Sequence, residues 1–196
     1  GMKIGADGLR DTAGAFGFGQ EMSIPMAVAP SRFPDEVDPP GLAKSAIGQQ
    51  DVAATPLEMA MVAAAVGNKG TVIKPYLVRS VRGSDLSVID ETKPDELGRA
   101  MDEGAASQLG EMMTAVVRSG TGGPAGIPGV SVAGETGTAQ HAPGKPPHAW
   151  FIGYAPAEDP KVAVAVVVES GGNAGSEAYG GTVAGPISKK VMEAAL

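Results

Sequence analysis

Cysteine is absent from the 196-residue chain, which excludes disulfides and thiolate metal sites. Histidine is scarce: only His141 and His148 occur, both in a Pro- and Gly-rich stretch, too few for an ordinary metal centre. Aromatic residues make up 4% of the chain, so any core must rest on aliphatic and alanine packing. No run of Lys or Arg offers a phosphate-neutralising face, and the net charge of −7 argues against a nucleic-acid partner. There is no charged-then-apolar leader pattern at the N-terminus, and no apolar run approaches membrane-spanning length. Nothing in the composition calls for a cofactor.

Glycine and proline are plentiful, with 29 and 16 copies, and they divide the chain into short elements. A first helix is expected over 6–16, with Leu9, Ala13 and Phe16 on one face, stopped by Gly17 to Gly19. Residues 20–46 read as an irregular, Pro-punctuated surface loop. Thr55 is suited to cap a helix, with Pro56 at its first position and Glu58 completing a capping box. Leu57, Met61, Ala64 and Ala65 mark its apolar face, and an extended segment over 71–81 follows, broken by Pro75. Asp102 opens a second long helix, with Ala105, Leu109, Met112, Met113 and Val116 on one side. Strands are expected over 130–134 leading into Glu135-Thr136-Gly137-Thr138, over 149–154, and over 161–169. The last is β-branched and nearly continuous, as for a strand buried on both faces. A closing helix places Val183, Ile187 and Val191 on its apolar face. Helices first, then a strand cluster and a final helix make an α+β fold with an antiparallel sheet.

Several motif-like features carry no chemistry. Gly120-Thr-Gly-Gly-Pro-Ala125 matches a dinucleotide-binding glycine pattern in letters, but it follows a helix instead of a strand. Met59, Met61, Met112 and Met113 sit at helical spacing and read as core filler, as does Trp150 on its strand. A hydrolase built on Ser131 or Ser170 with His148 lacks an assignable carboxylate to orient the imidazole.

Four segments carry a stronger signal: 45–60 (SAIGQQDVAATPLEMA), 132–140 (VAGETGTAQ), 148–156 (HAWFIGYAP) and 180–187 (GGTVAGPI). In that order they resemble the class B penicillin-binding proteins, the monofunctional transpeptidases that cross-link peptidoglycan. The resemblance covers nearly the whole chain. It implies the transpeptidase fold shared with serine β-lactamases, and a domain portion over 1–196 from the C-terminal part of that fold. It also implies a substrate-binding set of Glu135, Thr136, Gly137 and Thr138. An extended peptidoglycan stem peptide or a β-lactam would lie along this strand edge, with the Thr136 and Thr138 hydroxyls near the substrate carboxylate and the Thr138 N–H as an oxyanion donor. Gly137 would let the ligand backbone approach closely.

The pattern breaks in two places. The family's nucleophile lies in an S-x-x-K motif, yet no serine in this chain has a lysine three positions on, and S-x-N is also absent. The chain is therefore expected to start downstream of both motifs and to lack independent catalysis, with no catalytic residue assigned. Glu135 stands where the family has lysine, which reverses the charge beside the substrate carboxylate and predicts weakened or lost binding. The resemblance places the parent protein at the cell membrane, on its extracytoplasmic face. An unpaired apolar edge on the strand over 161–169 would favour pairing between copies into a homo-oligomer. The alternative is a pseudoenzyme that keeps the surface as a cell-wall interaction module.

Overall fold

The computed structural model describes residues 1–196, apart from the side chain of Ser23. Its centre is an antiparallel sheet of β7 (Ala133–Ala139), β8 (His148–Ala155) and β9 (Val162–Val168), in that spatial order. Strand alternation sends Phe151 and Val164 to one face, where they join Ala184 and Met192 of helix α5 (Gly180–Ala195). Ala133 and Tyr154 point to the other face, against Val66 of helix α3 (Pro56–Gly67) and Met113 of helix α4 (Glu103–Ser119). The result is the mixed helix and antiparallel-sheet architecture that the element order predicts.

The helix starts follow from their caps. Thr55 Oγ1 accepts the Glu58 N–H at 3.1 Å, and an Asp102 carboxylate oxygen accepts the Ala105 N–H at 2.8 Å. The capping box at Thr55 is not completed, because the Thr55 N–H donates to Ser31 Oγ instead. Glu58 turns inward, is 2% exposed, and its Oε1 finds no hydrogen-bond partner. Helix α1 (Gly5–Phe16) ends at Gly17, whose φ of 121° is a left-handed geometry that favours glycine.

Elsewhere the structure corrects the sequence reading. The 20–46 stretch is not uniformly irregular: it holds the small β1 (Ser23–Ile24) and β2 (Met26–Ala27) hairpin and helix α2 (Pro39–Ser45). Asp38 caps α2 by accepting the Gly41 N–H, so the two prolines that looked like breakers occupy the first turn, where no donor is missed. The 71–81 segment resolves into β3 (Thr71–Ile73) and β4 (Ser80–Arg82), which pair with β6 (Glu96–Arg99) and β5 (Val88–Glu91) respectively. The strand expected over 130–134 lies further along, as β7 itself.

The closing helix buries the other side from the one expected. Ala184, Gly185, Ser188 and Met192 are buried, Gly185 against the turn at Pro124 and Ala125, while Ile187 and Val191 are exposed. Small residues sit inward at the start of α5 because it approaches the β7–β8 backbone and the loop after α4 closely. A Cβ at Gly180 would lie 2.1 Å from the Trp150 carbonyl oxygen, and one at Gly181 2.0 Å from that of Thr121. Helices α3 and α4 bury much of the expected face, with Leu57, Met61, Ala65, Leu109 and Met113 in the core, but Ala64, Ala105 and Met112 turn outward and Val66, Ala106 and Val117 inward. Of the methionines read as core, Met61 and Met113 are buried, Met59 is half-buried, and Met112 is 59% exposed. Strand β9 is half-buried except at Val164, because it is the outermost strand and none of the described residues pairs with its far side.

Candidate functional site

The register of β7 against β8 decides which groups face outward. In an antiparallel ladder the N–H and C=O of one residue point the same way, and successive residues alternate. The Thr138 carbonyl accepts the Gln49 side-chain amide at 3.1 Å, so it points away from β8. The Thr138 N–H therefore points outward as well, on the side of β7 where no strand pairs. By alternation the Thr136 N–H also faces outward. It donates to Glu135 Oε1 at 2.7 Å, so Glu135 folds back along its own strand.

Side chains then divide between the faces. The Thr136 hydroxyl shares a hydrogen bond with that of Thr121 at 2.8 Å, which ties β7 to the loop after α4. Glu135 is exposed, and among the described residues it has no ion-pair partner. Gly137 lies opposite Trp150, and a Cβ there would come within 3.2 Å of the Trp150 Cβ. The missing side chain thus makes room for the neighbouring strand's tryptophan. From the other face Gly180 closes on the Gly137 backbone: a Cβ at Gly180 would lie 2.8 Å from the Gly137 nitrogen.

Beside this edge opens a cavity of about 530 Å³. Phe18, Met59, Trp150 and Ile152 supply apolar walls, the 47–50 segment forms one rim, and Glu135 to His141 form another. Trp150 is half-buried here and is not the core residue that its strand position predicted, since the helices cover only the far end of this sheet face. Three of the separated sequence segments therefore meet around one cavity, and the fourth packs against its back through Gly180. Sequence reasoning missed Thr121, which lies in the glycine-rich loop set aside as a false dinucleotide motif. It also gave no separate role to Gln49, although that residue lies within the 45–60 segment.

At the cavity mouth the His141 and His148 rings meet at a tilt of 43°, with centroids 3.9 Å apart. The Ser170 N–H donates to His148 Nδ1 at 3.0 Å, and the Ser170 hydroxyl lies 3.4 Å from His141 Nε2. His148 thus serves the Ser170 backbone and not its hydroxyl, while Ser131 lines cavities on a different part of the surface. Burial raises the Glu58 carboxyl from 4.5 to about 7, behind the α3 N-terminus and against Gly17. Among the described residues no cluster of three or more His, Cys, Asp or Glu could hold a metal ion, and no helix is long and apolar enough to cross a membrane.

Comparison with known proteins agrees with this geometry. The profile of the penicillin binding protein transpeptidase domain matches residues 2–193. The peptidoglycan D,D-transpeptidase PbpA of Mycolicibacterium smegmatis is 45% identical over the whole chain, which spans 40% of that relative's length. Penicillin-binding protein A of M. tuberculosis, solved as a ceftriaxone acyl-enzyme complex, superposes with a TM-score of 0.93 at 43% identity, covering 100% of this chain and 44% of that one. The D,D-transpeptidase domain of a peptidoglycan glycosyltransferase from Eggerthella lenta superposes with a TM-score of 0.86 at 36% identity, covering 99% of this chain and 49% of that one. An outward-facing strand edge beside an apolar cavity, framed by these segments in order, belongs to a chain of the penicillin-binding-protein transpeptidase family.

Proposed function

We propose that this chain forms the peptide-holding part of a peptidoglycan D,D-transpeptidase that works on the extracytoplasmic face of the membrane. The observation that carries this reading is the outward Thr138 N–H on the outer edge of β7 beside the cavity, with the Thr138 C=O on the same edge accepting from Gln49. An extended peptide adds to such an edge as a further antiparallel strand, its main chain bonded to Thr138 and its side chains directed toward Trp150 and Ile152. In acyl transfer, an N–H held at this position also stabilises the oxygen of a tetrahedral intermediate. The covalent step needs a serine activated by a nearby base, and these residues contain no S-x-x-K to supply one. The chain's own contribution is thus positioning and the oxyanion donor. The second sheet edge, β9, is where copies of the chain would pair.

The test is a ¹H–¹⁵N titration of the chain with N-acetyl-D-alanyl-D-alanine amide. The Thr138 amide is expected to shift with saturation together with its neighbours Gly137 and Ala139, and Thr138→Pro, which removes that donor at an edge where proline is tolerated, to abolish the saturable shifts of those neighbours. Saturable shifts confined to residues away from β7 would contradict the reading.

A further inference from the structure

The outward amides of Thr136 and Thr138 are not equivalent. The Thr138 N–H has no partner among the described residues, whereas the Thr136 N–H is occupied by the neighbouring carboxylate at 2.7 Å. The same Glu135 oxygen lies 3.4 Å from the Thr136 hydroxyl, which Thr121 already engages. An incoming strand must therefore displace Glu135 to use both amides. Glu135 is exposed, keeps its negative charge unneutralised by any ion pair among the described residues, and lies at the rim of the cavity.

From this we infer that Glu135 is the specificity-determining residue of the β7 edge, selecting an extended peptide that carries an ammonium group over one that presents a carboxylate. The inference rests on the strand-edge reading above and deepens it. An ammonium group draws the Glu135 carboxylate away from Thr136 and frees that amide for the peptide main chain. A carboxylate meets a filled donor and a like charge, so it is rejected twice, by competition and by repulsion.

The experiment compares two matched probes by the Thr138 amide shift. One is Nα-acetyl-L-lysyl-D-alanyl-D-alanine amide, with an ammonium and no carboxylate. The other is Nα,Nε-diacetyl-L-lysyl-D-alanyl-D-alanine, with a carboxylate and no ammonium. The chain is expected to bind the first roughly tenfold more tightly at low salt, an electrostatic preference that shrinks as salt is added. Glu135→Gln should bring the two within about twofold, and Glu135→Lys should invert the order. Loss of the Thr136–Glu135 bond should also move the Thr136 amide shift in both variants without ligand. Equal or reversed preference in the unmodified chain, or a preference unchanged in Glu135→Gln, overturns the role of Glu135 while leaving peptide binding at β7 intact. If neither probe moves Thr138 in any of the three proteins, the strand-edge reading fails and this inference fails with it.

Discussion

Replacing Gly180 by alanine is expected to lower the unfolding free energy by about 3 kcal/mol, at the upper end of ordinary overpacking costs. The added Cβ would lie 2.1 Å from the Trp150 carbonyl oxygen and 2.7 Å from that of Gly137, closer than any real contact. Both obstacles are strand backbone, so no side-chain rotation relieves them. Relief requires moving α5 off the sheet, and α5 supplies Ala184 and Met192 to the main core. For a chain of this size the expected fall in Tm is roughly 6–12 °C. Glu135, Gly137 and Ala139, whose amides face β8 by the same alternation, should lose amide protection together with the helix, because the clash lies on the β7–β8 ladder. The matched control is Gly14→Ala in α1, where nothing lies within 4 Å of the new methyl and the helix should gain slightly. Equal thermal midpoints for the two variants would show that the close approach of α5 does not govern stability.

The second large effect concerns Glu58, a carboxyl 2% exposed whose Oε1 has no partner. Burial raises it from 4.5 to about 7. Below 4.5 both folded and unfolded chains hold the proton, and no penalty arises. Between 4.5 and about 7 the unfolded chain releases its proton while the folded chain keeps it, so stability falls as pH rises. Above that window both states are ionised and the loss is constant. At ~1.4 kcal/mol per pH unit the full effect approaches about 3 kcal/mol. Glu58→Gln removes the titration and should match the unmodified chain near pH 4 to within the cost of burying an amide, on the order of 1–3 kcal/mol. The informative quantity is the difference between their urea midpoints across the pH range. It should move in favour of Glu58→Gln by most of that ~3 kcal/mol between acid and pH 8. Parallel pH profiles for the two proteins would mean that Glu58 ionises freely in the folded state.

These two positions also show what could be read from the sequence and what could not. Thr55, Pro56 and Asp102 announce their helices through local chemistry, which a few neighbouring residues settle. Strands β8 and β9 are visible as apolar or β-branched runs, β7 is marked by its family-like segment instead, and the four such segments locate the cavity without any geometry. Local rules fail where a distant contact decides the outcome. Glu58 fits a capping box in letters, but Ser31 takes the Thr55 N–H from a loop 24 residues away. The bulky Val183, Ile187 and Val191 suggest the buried side of α5, yet at its first turns the helix lies so close to backbone that only Gly180, Gly181 and Ala184 can turn inward, with Met192 filling the core further along. Strands β5 and β6 leave no trace of alternation because all their residues are exposed. The Glu135 substitution is evident as a reversed charge, whereas its bond to the next residue's amide depends on which side of β7 is unpaired.

The central claim is that this chain brings the peptide-holding edge of a transpeptidase without a nucleophile of its own. The most direct test is its intact mass after incubation with excess penicillin G. The account predicts an unchanged mass, because no serine here has the lysine that would activate it. A stable gain of one penicillin per chain, mapped to a serine, would contradict it.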